Sequence, residues 1–100
     1  MKDENNQICL TGSEAIEILK EVNTIMLSLH KIGSKYEEYD DIEYCLTTTK
    51  FIDEWKVTQR LATIRRMIKE KFDLSLGEDD MDDVERAMEN IKIWSDERKN

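Results

Sequence analysis

Apolar residues at Ala15, Ile18, Leu19, Val22, Ile25, Met26, Leu29 and Ile32 recur at steps of three and four, which gathers them on one face of a helix. The stripe opens at Thr11–Glu14, where a hydroxyl is followed three positions on by a glutamate. That pairing lets each side chain satisfy a backbone N–H of the other residue and starts a helix. Gly33 follows the last apolar position, where a left-handed residue closes a helix at least steric cost. The pattern predicts a first helix from about Thr11 or Ser13 to Ile32.

A second box, Ser34–Glu37, opens a shorter helix reaching about Leu46, with Tyr36, Tyr39, Ile42 and Cys45 (with Leu46) as its inward stripe. The run Thr47-Thr48-Thr49 predicts a break, because hydroxyl and β-branched residues compete for local backbone bonds. Thr48 or Thr49 would then cap a third helix from about Lys50 to Phe72, with Phe51, Trp55, Leu61, Ile64, Ile68 and Phe72 on its apolar side. The segment Asp73–Gly77 reads as a turn, and Ser75–Glu78 is a third box. Beyond it Met81, Val84, Ala87, Met88, Ile91 and Trp94 hold helical spacing to about Glu97. Met1 to Leu10 carry no stripe and read as an extended arm or a lone strand.

These elements predict an all-α fold: a small antiparallel bundle of about four helices, since connections of two to five residues join neighbours that run in opposite directions. The domain organisation is a short N-terminal arm, 1–10, and one helical-bundle domain, 11–100. The complete absence of proline fits that reading.

The chain has 100 residues, enough for one core but not for a core and a roomy buried cleft. Its longest apolar run is Ile25-Met26-Leu27, far short of a membrane span. No signal-peptide pattern follows Met1, so the expected location is the cytoplasm. The cysteines Cys9 and Cys45 have no CxxC spacing, and the chain has one histidine, His30, so no zinc site is expected. Reduced thiols are the plain reading, with a Cys9–Cys45 disulfide as the alternative.

Candidate chemistry is sparse. His30 lies at the edge of the first stripe and reads as a boundary or surface residue. The acidic segment Asp73–Val84 has the length of a calcium loop, but its sixth and twelfth positions are Glu78 and Val84 instead of glycine and glutamate. Neither GxxxxGK[ST] nor GxGxxG occurs. The expectation is therefore a protein that is not an enzyme and uses no metal or cofactor.

The net charge of −8 argues against binding to a nucleic-acid backbone or an anionic membrane and fits a basic protein partner. Two acidic clusters are candidate partner-binding residues: Glu37, Glu38, Asp40, Asp41 and Glu43, with Tyr44 exposed among them, and Asp79, Asp80, Asp82 and Asp83 with their neighbours Glu78 and Glu85. The second is the weaker, because helix capping already accounts for acids there. The first expectation is an inhibitor that masks a basic active site of a nuclease or toxin, in the manner of immunity proteins or phage anti-defence proteins, an analogy of size and charge alone. One alternative is an adaptor, chaperone or assembly subunit that binds through an apolar helical groove, using Met26, Met67, Met81 and Met88 as adaptable contacts. Another is nucleic-acid binding through the basic third helix, led by Arg60, Arg65 and Arg66. Monomer and homodimer both fit, the dimer if a helix keeps an apolar face that so small a bundle does not cover.

Overall fold

The computed structural model describes residues 1–35 and 40–96. Among them the chain is all-helical, with no strand. A short 3₁₀ turn spans Asp3–Asn5, and four α-helices follow: α1 (Gly12–Ser34), α2 (Asp41–Glu54), α3 (Val57–Lys69) and α4 (Asp83–Met88). The fold divides into two compact units: Cys9–Lys71, which holds α1, α2 and α3, and Met1–Ile8 with Phe72–Asn100, which holds the 3₁₀ turn and α4. The first eight residues thus belong with the C-terminal third of the chain.

In the three-helix unit each helix packs on the other two. The Thr11–Glu14 box forms as the sequence predicts: Glu14 N donates to Thr11 Oγ1 at 3.0 Å and Thr11 N to Glu14 Oε1 at 2.9 Å. Gly33 does not end α1. It lies within the helix with no positive φ, and Ser34 donates its hydroxyl to Lys31 O at 2.8 Å without capping a second helix. The rest of the Ser34–Glu37 box lies outside the described residues, as do Tyr36, Glu38 and Tyr39. The cap of α2 is Asp40, whose Oδ1 accepts from Glu43 N at 2.7 Å.

The threonine run is helix interior, not a break. Thr48 donates its hydroxyl to Tyr44 O, four residues back, at 2.8 Å, so it bonds to the helix it was expected to interrupt. Thr47 and Thr48 are half-buried on the packed face of α2 with Tyr44 and Phe51. The break comes later, at Trp55-Lys56, where Lys56 adopts φ 50° and ψ 51°. That left-handed conformation costs a side-chain-bearing residue about 1–2 kcal/mol, and nothing in the local sequence marks it.

The broad stripe of α1 is shared between two surfaces. Ile18, Ile25 and Ile32 turn inward, with Ile25 buried, but the packed face also carries Glu14, Glu21 and Ser28. Leu19, Val22, Met26 and Leu29 remain exposed. Two cations hold the carboxylates inward: Lys71 Nζ lies 2.6 Å from Glu14 and Arg60 Nη1 3.1 Å from Glu21. Of the basic residues of α3, Arg60 is thereby paired within the fold, while Arg66 has an exposed partner in Glu70 at 3.9 Å. Ile25 and Val57 are the only buried apolar residues among those described.

The fourth helix ends at Met88, nine residues short of the expected Glu97. Short helices in water depend on packing for their stability. Ile91, Ile93 and Trp94 bury little surface, and residues 91–96 carry no regular structure.

Candidate functional site

The second acidic cluster is built into its unit by one guanidinium. Arg86 donates Nε and Nη2 to the two carboxylate oxygens of Asp79, both at 2.7 Å, a bidentate fork that suits arginine geometry. It also donates Nη1 to Asp83 Oδ1 at 2.8 Å and Nη2 to Met81 O at 3.0 Å. The other oxygen of Asp83 accepts from Asn5 Nδ2 at 2.7 Å and Lys2 N at 2.8 Å. Asn5, itself buried, closes the network through Asp73: its Oδ1 accepts from Asp73 N at 2.7 Å and its Nδ2 donates to Asp73 O at 3.0 Å. The loop is tight around the guanidinium, for a Cβ on Gly77 would fall 2.8 Å from Arg86 Nη2.

Helix α4 starts at Asp82, not at the expected Ser75–Glu78 box. Asp82 and Glu85 form a reciprocal capping box, with Glu85 N donating to Asp82 Oδ1 at 2.8 Å. Ser75 instead donates its N–H and its hydroxyl to Asp73 Oδ1. The candidate residues Asp79, Asp82 and Asp83 therefore serve this unit's own loop and helix cap. Asp80 is exposed, turns the chain at φ 61° and donates its N–H to Gly77 O at 3.1 Å.

The network sets an acid limit. The Asn5 amide, the Lys2 N–H and Arg86 hold the Asp83 carboxyl down at about 2 against its ordinary 3.8. The Arg86 guanidinium holds Asp79 lower still. A carboxyl depressed in the folded state contributes stability above its unfolded value and loses it as protons bind. This unit is expected to lose stability between about pH 4 and pH 2, with the three-helix unit affected less. The side-chain amide resonances of Asn5, followed during acid titration, check it, and resonances unchanged to pH 2 contradict it.

The described members of the first cluster stand at the start of α2. Glu37 and Glu38 lie outside the described residues, Asp40 is occupied as the cap of α2, and Asp41 and Glu43 are exposed in its first turn. Tyr44 is half-buried, not exposed as the sequence reading placed it, because its helical phase matches Thr48 and Phe51 on the packed side.

A concave surface lies away from both clusters. A cleft of about 450 Å³ at the α2–α3 corner is lined by Glu21, Glu54, Trp55, Lys56, Gln59, Arg60 and Thr63. Trp55, 51% exposed, closes α2. Arg60 spans the corner: Nε donates to Trp55 O at 2.7 Å, satisfying a carbonyl that the helix end leaves without a partner. Its guanidinium carbon stands 5.5 Å from the centre of the indole ring, within cation–π range. Its Nη1 donates to both carboxylate oxygens of Glu21, at 3.1 and 3.3 Å, and the Phe51 ring lies 6.4 Å from that of Trp55 at 45°. The indole is thus oriented from two sides yet half open. The sequence reading put Trp55 on the apolar stripe and missed the cleft, since nothing there marked Lys56 as a corner.

Among the described residues no cluster of histidine, cysteine, aspartate or glutamate has the arrangement of a metal site, and Cys9 and Cys45 are free, exposed thiols. No described helix is long and apolar enough to cross a membrane. Comparison with protein-family models, with curated proteins and with solved structures finds no match.

Proposed function

We propose that this chain is a small protein-binding module, an adaptor or assembly subunit, that docks its partner on the Trp55 cleft. The observation that carries the reading is the half-open indole, held by Arg60 and Glu21 at a corner whose backbone is locked in a left-handed turn. Tryptophan and arginine in preorganised pockets dominate binding energies at protein interfaces, because a rigid ring loses little entropy on docking. Strained backbone of the Lys56 kind also concentrates at functional sites. The net charge of −8 favours a basic partner, one that lays an apolar side chain on the indole and extends a lysine or arginine to the rim, where Glu54 has only an exposed partner, Lys50, at 3.8 Å.

Affinity capture from the native lysate with the wild-type chain, beside Trp55→Ala and Trp94→Phe, tests this. Loss of Trp55 is expected to weaken the complex about 30-fold or more, the effect of a hot-spot truncation of about 2 kcal/mol. Trp94→Phe should bind like wild type and, with Trp55 as its sole indole, show a blue-shifted emission in the complex. A partner held equally by the wild type and Trp55→Ala sinks the reading.

The net charge of −8 also favours a second reading, an acidic inhibitor that covers a basic active site with Asp41 and Glu43. Such a complex should weaken with salt and with Asp41→Lys plus Glu43→Lys. Asp40 is unsuitable for that reversal, since its loss would also uncap α2.

A further inference from the structure

The fourth helix stops where nothing in the sequence stops it. Glu89, which follows its last residue, is still right-handed helical at φ −58° and ψ −34°. Residues 89–96 hold neither glycine nor proline, and none of them has a positive φ. The usual causes of a helix end, a left-handed residue or a missing N–H, are therefore absent from this described stretch. The apolar pattern also runs on. At 100° per residue Val84, Met88, Ile91 and Trp94 fall within about 120° of one another, while Ile93 lies about 160° from the middle of that face. Val84 is half-buried, whereas Met88, Ile91 and Trp94 are 53%, 59% and 83% exposed. A continued α4 would thus lay its apolar face on water, and a short helix without packing is not stable there.

Charge decides what can cover that face. The unit formed by Met1–Ile8 and Phe72–Asn100 carries twelve of the chain's 23 acidic residues and five of its 15 cations, so net −7 of the total −8. Its Arg86 is already engaged by Asp79 and Asp83. Along the segment, Lys92 stands against Glu85, Glu89 and Asp96. The field of such a unit repels an anionic membrane and a second copy of itself, and it attracts a basic surface.

We propose that residues 89–96 are a recognition segment, which continues α4 as a helix when it docks in an apolar groove set in the basic surface of a partner protein. Met88, Ile91 and Trp94 are its anchors. From Val84 they follow at steps of four, three and three, the spacing by which an amphipathic helix fills a groove. The groove supplies the cover that water does not, so the segment orders as it binds. The inference stands on the unit that holds α4 and does not rest on the Trp55 cleft.

Capture from the native lysate by the immobilised full chain, read by position along the segment, tests the proposal. A partner held by the wild type at about 0.1 M salt should be weakened about 30-fold or more by Ile91→Asp and by Trp94→Ala, the effect of losing an anchor. Ile93→Asp should leave it bound, because position 93 faces away from the groove. Lys92→Pro should release it and Lys92→Ala should not, since proline removes an N–H that the continued helix uses and clashes with the carbonyl of Met88. At about 0.5 M salt the wild-type complex should weaken as well. All four positions are exposed and lie outside regular structure in the free chain, so the amide spectrum of α4 should match the wild type in every variant. Loss with Ile93→Asp equal to that with Ile91→Asp would mean an added β-strand, in which positions 91 and 93 share a face, and overturns the proposal. Retention of every wild-type partner by Ile91→Asp and Trp94→Ala overturns it too. So does binding indifferent to Lys92→Pro or to salt, or a retained species that is this chain itself.

Discussion

Replacing Asn5 by alanine is expected to destabilise the unit built from the chain's two ends by about 3 kcal/mol. The amide makes three hydrogen bonds, all to groups at least 68 residues away, and is itself buried. Alanine leaves the N–H and C=O of Asp73 without those partners and takes from Asp83 one of the donors that hold its charge. Buried polar groups stripped of a partner cost about 1–3 kcal/mol each, more when one is ionised. Asn5→Asp, which keeps the shape, should be as damaging, because it sets a second carboxylate against Asp83. Urea unfolding followed by the amide resonances of α4 measures the effect. An unchanged midpoint for Asn5→Ala would mean that the network does not hold this unit together.

Ile25→Ala is expected to cost the three-helix unit about 2–3 kcal/mol. Isoleucine-to-alanine changes in cores cost about 2–5 kcal/mol, the low end applying where neighbours can close the gap. Ile25 shares its role with one other buried apolar residue, Val57, so no deeper layer compensates. A domain of this size has about 5–15 kcal/mol in total, so the loss is a large fraction. It should appear as a lower urea midpoint at unchanged slope. Leu19→Ala, six residues before Ile25, should cost far less, because Leu19 is exposed. Equal losses at the two positions would mean that the inward and outward faces of α1 are wrongly assigned.

The legible parts of this fold were those written locally. The Thr11–Glu14 box and the stripe that follows it specify α1 from its first turn, and all-helical character follows from spacing alone. Capping was only half legible when sought in hydroxyl residues, because aspartate serves as well: Asp40 and Asp82 each stand three positions before a glutamate, and each caps a helix. The α2–α3 corner had no local mark, since the residue that takes the left-handed conformation there is a lysine and Gly33, the glycine expected to do so, is helical. The exposed face of α2 was misjudged because the Tyr36, Tyr39, Ile42 and Cys45 stripe presumed a helix already running at Ser34. With the start at Asp40, the packed phase passes through Tyr44, Thr48 and Phe51. The Arg86 network was beyond local reading altogether, for its partners are brought together by tertiary structure. An arginine seven residues after an aspartate is two helical turns away in a continuous helix, and only the turn at Asp80 folds the loop back so that the two meet.

The bonds from Asn5 and Lys2 to Asp73 and Asp83 bridge 68 to 81 residues, nearly the whole chain. Closing a loop of that length in an unfolded chain carries an entropy that grows with the logarithm of its length and must be met before the bonds are gained. Residues 9–71 lie between those ends and fold largely on contacts of their own. Once that unit has formed, far less chain remains to be ordered, and closure becomes much less costly. The topology therefore favours one order of assembly, in which the Asn5 amide is tied into place after α1, α2 and α3 have found one another.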